Sequence, residues 1–138
     1  MSESAAEFVW PVRVYYEDTD AGGVVYYANY LRFMERARTE WLRALGLEQS
    51  ELLAGDAVLF VVRRAEVDYR KPARYDDALE IRSRMELRPP LRILFHQRVE
   101  CNGLLVEGKI EVVCVNAQTF RPVMLPQRVQ RLIERLEQ

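Results

Sequence analysis

One segment of this 138-residue chain carries a helical period, and strand-like runs stand on both sides of it. From about Ala28, Tyr30, Phe33, Ala37, Trp41 and Leu45 recur every three or four positions. Arg32, Glu35, Arg36, Arg38, Glu40 and Arg43 fill most of the gaps. This spacing predicts a long amphipathic helix stopped at Gly46. At about 1.5 Å per residue, its roughly 17 residues span about 25 Å. The bulky aromatic face needs a wide apolar surface, and a strongly curved sheet wrapped round the helix supplies one.

The remaining runs provide such a sheet. Phe8–Tyr16 is rich in β-branched and aromatic residues, and Pro11 marks it as an edge. A short helical piece is expected around Gln49–Leu53. Val58–Arg70 alternates loosely and is broken by Lys71-Pro72. Leu79, Ile81, Met85 and Leu87 then alternate with Glu80, Arg82, Arg84 and Glu86. Pro89-Pro90 turns the chain, and Asn102-Gly103 is a strong hairpin signal between the last two strands. A C-terminal helix over about 126–138 follows Pro126. The expected fold is therefore α+β, with one long helix on a five-stranded antiparallel sheet forming a single domain over 1–138. Val113 and Val115 interrupt the polar face of their strand, which suggests burial in an oligomer.

Composition removes several kinds of chemistry. The 20 basic and 21 acidic residues nearly cancel, so the electrostatic footprint of a nucleic-acid binder is missing. The longest uncharged stretch, Ala21–Leu31, is only 11 residues, too short to span a membrane. Met1–Glu7 is acidic and lacks the pattern of an export signal, so a cytoplasmic location with reduced Cys101 and Cys114 is expected. The four serines, at positions 2, 4, 50 and 83, include no G-x-S-x-G elbow. No spacing for a zinc site, P-loop or dinucleotide fingerprint occurs, so no metal is expected. Any reaction must then rest on carboxylates, backbone amides or both.

Asp20-Ala-Gly-Gly-Val-Val-Tyr-Tyr leads from a carboxylate, through a glycine turn, into the start of the long helix. Helix N-termini present unpaired N–H donors at the positive end of the dipole, and these stabilise an oxyanion. Gly22 and Gly23 leave room for a ligand to approach the backbone. A carboxylate beside such a helix start is placed to attack a carbonyl or to deprotonate water, which points to acyl transfer to water. Spacing alone is better served by an Asp20 that only caps the turn.

Residues Trp10–Tyr26 (W-P-V-R-V-Y-Y-E-D-T-D-A-G-G-V-V-Y), then N-Y-L-R-F-M-E-R-A-R-T-E-W-L-R, resemble the Tol–Pal-operon-associated acyl-CoA thioesterases of the hotdog superfamily. F-V-V-R-R, Y-R-K-P-A-R-Y-D-D, L-E-I and V-V-C-V-N match further blocks, so the likeness runs from Trp10 to Pro126. The resemblance implies a hotdog fold and homodimers assembling to homotetramers. It also implies hydrolysis of acyl-CoA with no cofactor beyond the CoA of the substrate. The family's catalytic aspartate falls on Asp20, and its carbonyl-polarising amide falls on Tyr27. Relatives of this subgroup carry histidine where Tyr27 stands. That departure sustains an alternative, a weakly catalytic or non-catalytic module binding acyl carrier protein or envelope-linked partners.

The CoA phosphates call for basic side chains, for which Arg63, Arg64, Lys71 and Arg74 are the candidates. Arg63 shares an apparent strand face with Leu59, Val61, Ala65 and Val67, so it either pairs with an acid such as Glu35 or serves the site. Gly23 and Tyr30 are expected against the substrate, with Tyr30, Phe33 and Trp41 also forming helix core. His96 and Cys114 read as an ordinary strand histidine and a core thiol.

Overall fold

In the computed structural model, which describes residues 6–138, the helical period becomes α1 (Asn29–Ala44). Most of the acidic run Met1–Glu7 therefore lies outside the described residues. Helix α1 buries Tyr30, Phe33, Met34, Ala37 and Trp41 along one face. Gly46, at φ +78°, ends it, and its amide donates to Arg43 O at 3.0 Å. Glycine adopts that left-handed backbone without a Cβ penalty.

Five strands form one antiparallel sheet: β1 (Phe8–Arg13), β2 (Val58–Tyr69), β3 (Ala78–Arg88), β4 (Arg92–Glu100) and β5 (Leu104–Asn116). Their order is β1-β3-β4-β5-β2, so β1 with its Pro11 and the long β2 are the two borders. β1 stops before the expected Tyr16. Tyr15 N donates to Asp18 Oδ2 at 2.9 Å, and a single 3-10 turn at Tyr16–Asp18 replaces the strand. A short α2 (Gln49–Asp56) follows α1.

The sheet lays Ile81, Phe95, Val99, Val106 and Ile110 against α1. Contact is close at Gly108, where a Cβ would stand 3.0 Å from Met34 Sδ and Cε. A buried polar knot sits in the same layer: Gln97 Nε2 donates to Met34 O at 3.0 Å and to Ser83 Oγ at 2.9 Å. β1 covers only Ala78–Ser83 of β3. Beyond it the C-terminal helix α3 (Gln127–Glu137) takes over, burying Val129 and Ile133 while Leu87 N donates to Glu137 Oε1.

Two expectations change here. The alternation of β2 is interrupted by a bulge between Val62 and Arg64. Val61 pairs with Val113, whereas Ala65 pairs with Ile110, so Leu59 and Val61 lie on the opposite face from Ala65 and Val67. Arg63 is the extra residue. It is exposed and paired with Glu111 at 2.5 Å, instead of facing inward towards Glu35. Second, Val113 and Val115 are already buried within one chain, at 8% and 3% exposure. The segment after β5 folds back and bridges Pro122 to Val115, so neither valine needs an oligomer to cover it.

Candidate active site

Asp20 opens a tight turn. Its carbonyl accepts from Gly23 N at 3.0 Å, and its Oδ1 accepts from Gly22 N at 2.8 Å. Gly23 sits at φ +80°, a conformation that the turn requires and that glycine supplies. Across the loop, Asp20 N donates to Val24 O at 2.9 Å, and a bridge joins Thr19 to Val25. A second bridge ties Val24 to Arg74, and Val25 N donates to Ala73 O at 2.8 Å. The carboxylate is thus exposed, anchored through Oδ1, and free at Oδ2 among the described residues.

The returning limb carries the helix start. Tyr26 N donates to Asp18 O at 3.0 Å, and Asn29 Nδ2 donates to the same carbonyl at 2.9 Å. Asn29 N closes a turn on Tyr26 O at 2.8 Å. Among the described residues, the amides of Tyr27 and Ala28 between them have no acceptor. Two donors at the positive end of α1 are therefore open on the limb opposite Asp20, in one small hairpin.

Beside these amides lies a cleft of about 250 Å³ lined by Val25, Tyr27, Tyr30, Tyr69 and Lys71. The Tyr27 ring packs 4.9 Å from that of Tyr26 and stands edge-on to Tyr69 at 6.0 Å, while Tyr30 lies 5.7 Å from Tyr69. Tyr30 is 3% exposed, and its hydroxyl accepts from Ala73 N at 2.9 Å. Burial pushes the Tyr30 and Tyr69 phenols up, so both walls stay neutral.

The expected residues divide into two groups. Asp20, Gly23, Tyr27, Tyr30 and Lys71 come together around the hairpin and cleft, and Arg74 joins through its backbone bridge. Arg63 and Arg64 do not line the cleft. Arg63 pairs with Glu111, and Arg64 extends to Glu66 at 3.4 Å. His96 meets Glu86 at 2.9 Å, and Cys114 is fully buried, its thiol pushed up to about 11 by desolvation. Sequence reasoning missed Tyr69 and the Ala73 amide. An aromatic placed just before Lys71-Pro72 was the available signal for the first.

A model of the thioesterase-like superfamily matches residues 14–133. The chain belongs to that superfamily. Within it, the acyl-CoA thioester hydrolase YbgC of Escherichia coli is 49% identical over 124 residues, covering 88% of this chain and 92% of that relative. The acyl-CoA thioesterase YbgC of Haemophilus influenzae is 44% identical over 131 residues, covering 94% and 96%. A solved probable thioesterase from Bartonella henselae superposes with a TM-score of 0.83 at 36% identity, covering 88% of this chain and all of the other. The helix-on-sheet architecture is the hotdog fold of these thioesterase-like proteins, as the resemblance implied. No helix here is long and apolar enough to cross a membrane.

Proposed function

We propose that this protein hydrolyses acyl-CoA thioesters, using the Asp20 carboxylate and the Tyr27 amide. The observation that carries the reading is the hairpin itself, which has a carboxylate with one free oxygen on one limb and two unpaired amides, at the start of α1, on the other. The thioester oxygen accepts from Tyr27 N, and the amide strengthens its hold as negative charge develops there. Asp20 then either attacks the carbonyl carbon or takes a proton from an attacking water. Collapse of the tetrahedral species expels CoA as thiolate. Attack by Asp20 gives a mixed anhydride that water must open, whereas attack by water gives the acid directly. Single-turnover hydrolysis in oxygen-18 water separates the routes, since only a nucleophilic Asp20 acquires label. The YbgC relatives named as acyl-CoA thioesterases support the substrate class.

The free border of β2, 12 residues long, supports a homodimer in which a second copy adds to that edge. Lys71 and Arg74 are the cations proposed for the CoA phosphates. Purified protein assayed against short, branched, aromatic and long acyl-CoAs tests the function. Turnover of at least one is expected, and none with any chain would favour a carrier- or partner-binding module.

A further inference from the structure

Between α1 and β2 lies a groove of about 230 Å³, walled by Leu31, Val62, Ala65 and Ile110. Its polar members are Arg32, Glu35 and Arg38, two cations to one acid. Arg38 is fixed in place. Its NH1 donates to Gln97 Oε1 at 3.0 Å, and Gln97, at 0% exposure, is itself held by Met34 O and Ser83 Oγ. The guanidinium also lies 5.8 Å from the Phe95 ring centre. Guanidinium has five N–H donors, so most of its capacity is unused by this single bond. Among the described residues its side-chain partner is an amide and not a carboxylate, and Glu35 acts on it only at longer range. Desolvation lowers its pKa to about 10, which leaves it a cation at neutral pH. None of its remaining donors is buried without a partner, so they are open to a ligand, and a carboxylate fits the guanidinium fork through two parallel bonds.

The groove and the hairpin's returning limb share helix α1. Leu31, Glu35 and Arg38 stand at i, i+4 and i+7 of α1, so they follow one stripe of the helix, which begins just after Tyr27 and Ala28. From Asn29 to Arg38, nine residues cover about 14 Å of axis, and side chains lean back towards the N-terminus, which shortens the gap. We propose that the acyl chain lies along this stripe and that Arg38 binds a carboxylate at its far end, making thioesters of dicarboxylic acids the preferred substrates. This rests on the hydrolytic reading above and adds the acyl class to it.

The test compares kcat/KM for ω-carboxyacyl-CoAs, from five to twelve carbons, with unsubstituted acyl-CoAs of equal length. Wild-type protein, Arg38→Met and Arg38→Lys are assayed, with gel filtration of each. At the best-fitting length the carboxylated substrate is expected to lead at least tenfold. Arg38→Met should abolish that lead, Arg38→Lys should keep part of it, and rates on the unsubstituted substrate should stay within twofold. Three results would overturn the proposal: no wild-type lead at any length, equal losses on both substrates in Arg38→Met, or variants that fall apart into smaller species. The last would assign the missing carboxylate to a second copy. Calorimetric titration of the Asp20→Asn protein with the same pairs reads the preference without turnover. An Asp20→Asn protein with an unchanged hydrolytic rate would end the catalytic reading while leaving the carboxylate preference to stand or fall on its own affinities.

Discussion

The hydroxyl of Tyr30 accepts the amide hydrogen of Ala73 at 2.9 Å, joining the first turn of α1 to the loop that follows β2. Ala73 is fully buried, so nothing from solvent replaces this acceptor. Its carbonyl holds Val25 N in turn, which places the Asp20 hairpin under the same restraint. Tyr30→Phe leaves the Ala73 amide unpaired and should destabilise the protein by about 1–3 kcal/mol. Urea unfolding should show a lower midpoint with an unchanged slope.

Asp20→Asn keeps an oxygen to accept from Gly22 N, so the turn and the circular dichroism spectrum should be preserved. The role proposed for the carboxylate, as base or nucleophile, would be lost. Thioesterase kcat should fall by about 10²–10⁴-fold, the usual worth of a positioned proton-transfer group.

Tyr27 contributes through its main chain in this reading, so two substitutions should diverge. Tyr27→Pro removes the N–H and should lower kcat by about 10²–10³-fold. Tyr27→His keeps the amide and should change kcat by less than tenfold. Comparable losses in both would move the function to the side chain.

Cys114 has its thiol pushed up to about 11 by burial, from an ordinary 9.0. The folded state thus prefers the protonated form more strongly than the unfolded chain does. The stability this adds is complete below pH 9 and is lost as pH climbs through the folded value near 11. Replacing Cys114 with Val should flatten that alkaline decline in thermal melts. At pH 8, iodoacetamide should label the half-buried Cys101 and spare Cys114 until the chain unfolds.

Gly108→Ala would bring a Cβ within 3.0 Å of the Met34 thioether. The flexible methionine end must give by a few tenths of an ångström, at a cost of about 1 kcal/mol. The loss should appear in chemical denaturation with little change in kcat, since Gly108 lies away from the hairpin.

Much of this architecture could be read from local periodicity. Tyr30, Phe33, Ala37 and Trp41 announced α1, and Asn102-Gly103 announced the last hairpin, because each signal lies within a few residues of its effect. The inward placement expected for Arg63 failed for the same reason. Alternation is read two residues at a time, and one additional residue inverts everything beyond it. At the site, Asp20, Gly23 and Tyr27 were legible as a single run. Tyr69 and Ala73 were not, because 39 and 43 positions separate them from Tyr30, and only the folded sheet brings them near.

The irregularity at Arg63 also bears on what the protein avoids. A long, straight margin of backbone donors and acceptors invites copy after copy to stack into a ribbon. One surplus residue kinks that margin and tightens its twist, so a neighbour can align with only part of it. A fibre growing along this side of the molecule would have to accommodate that break at every step.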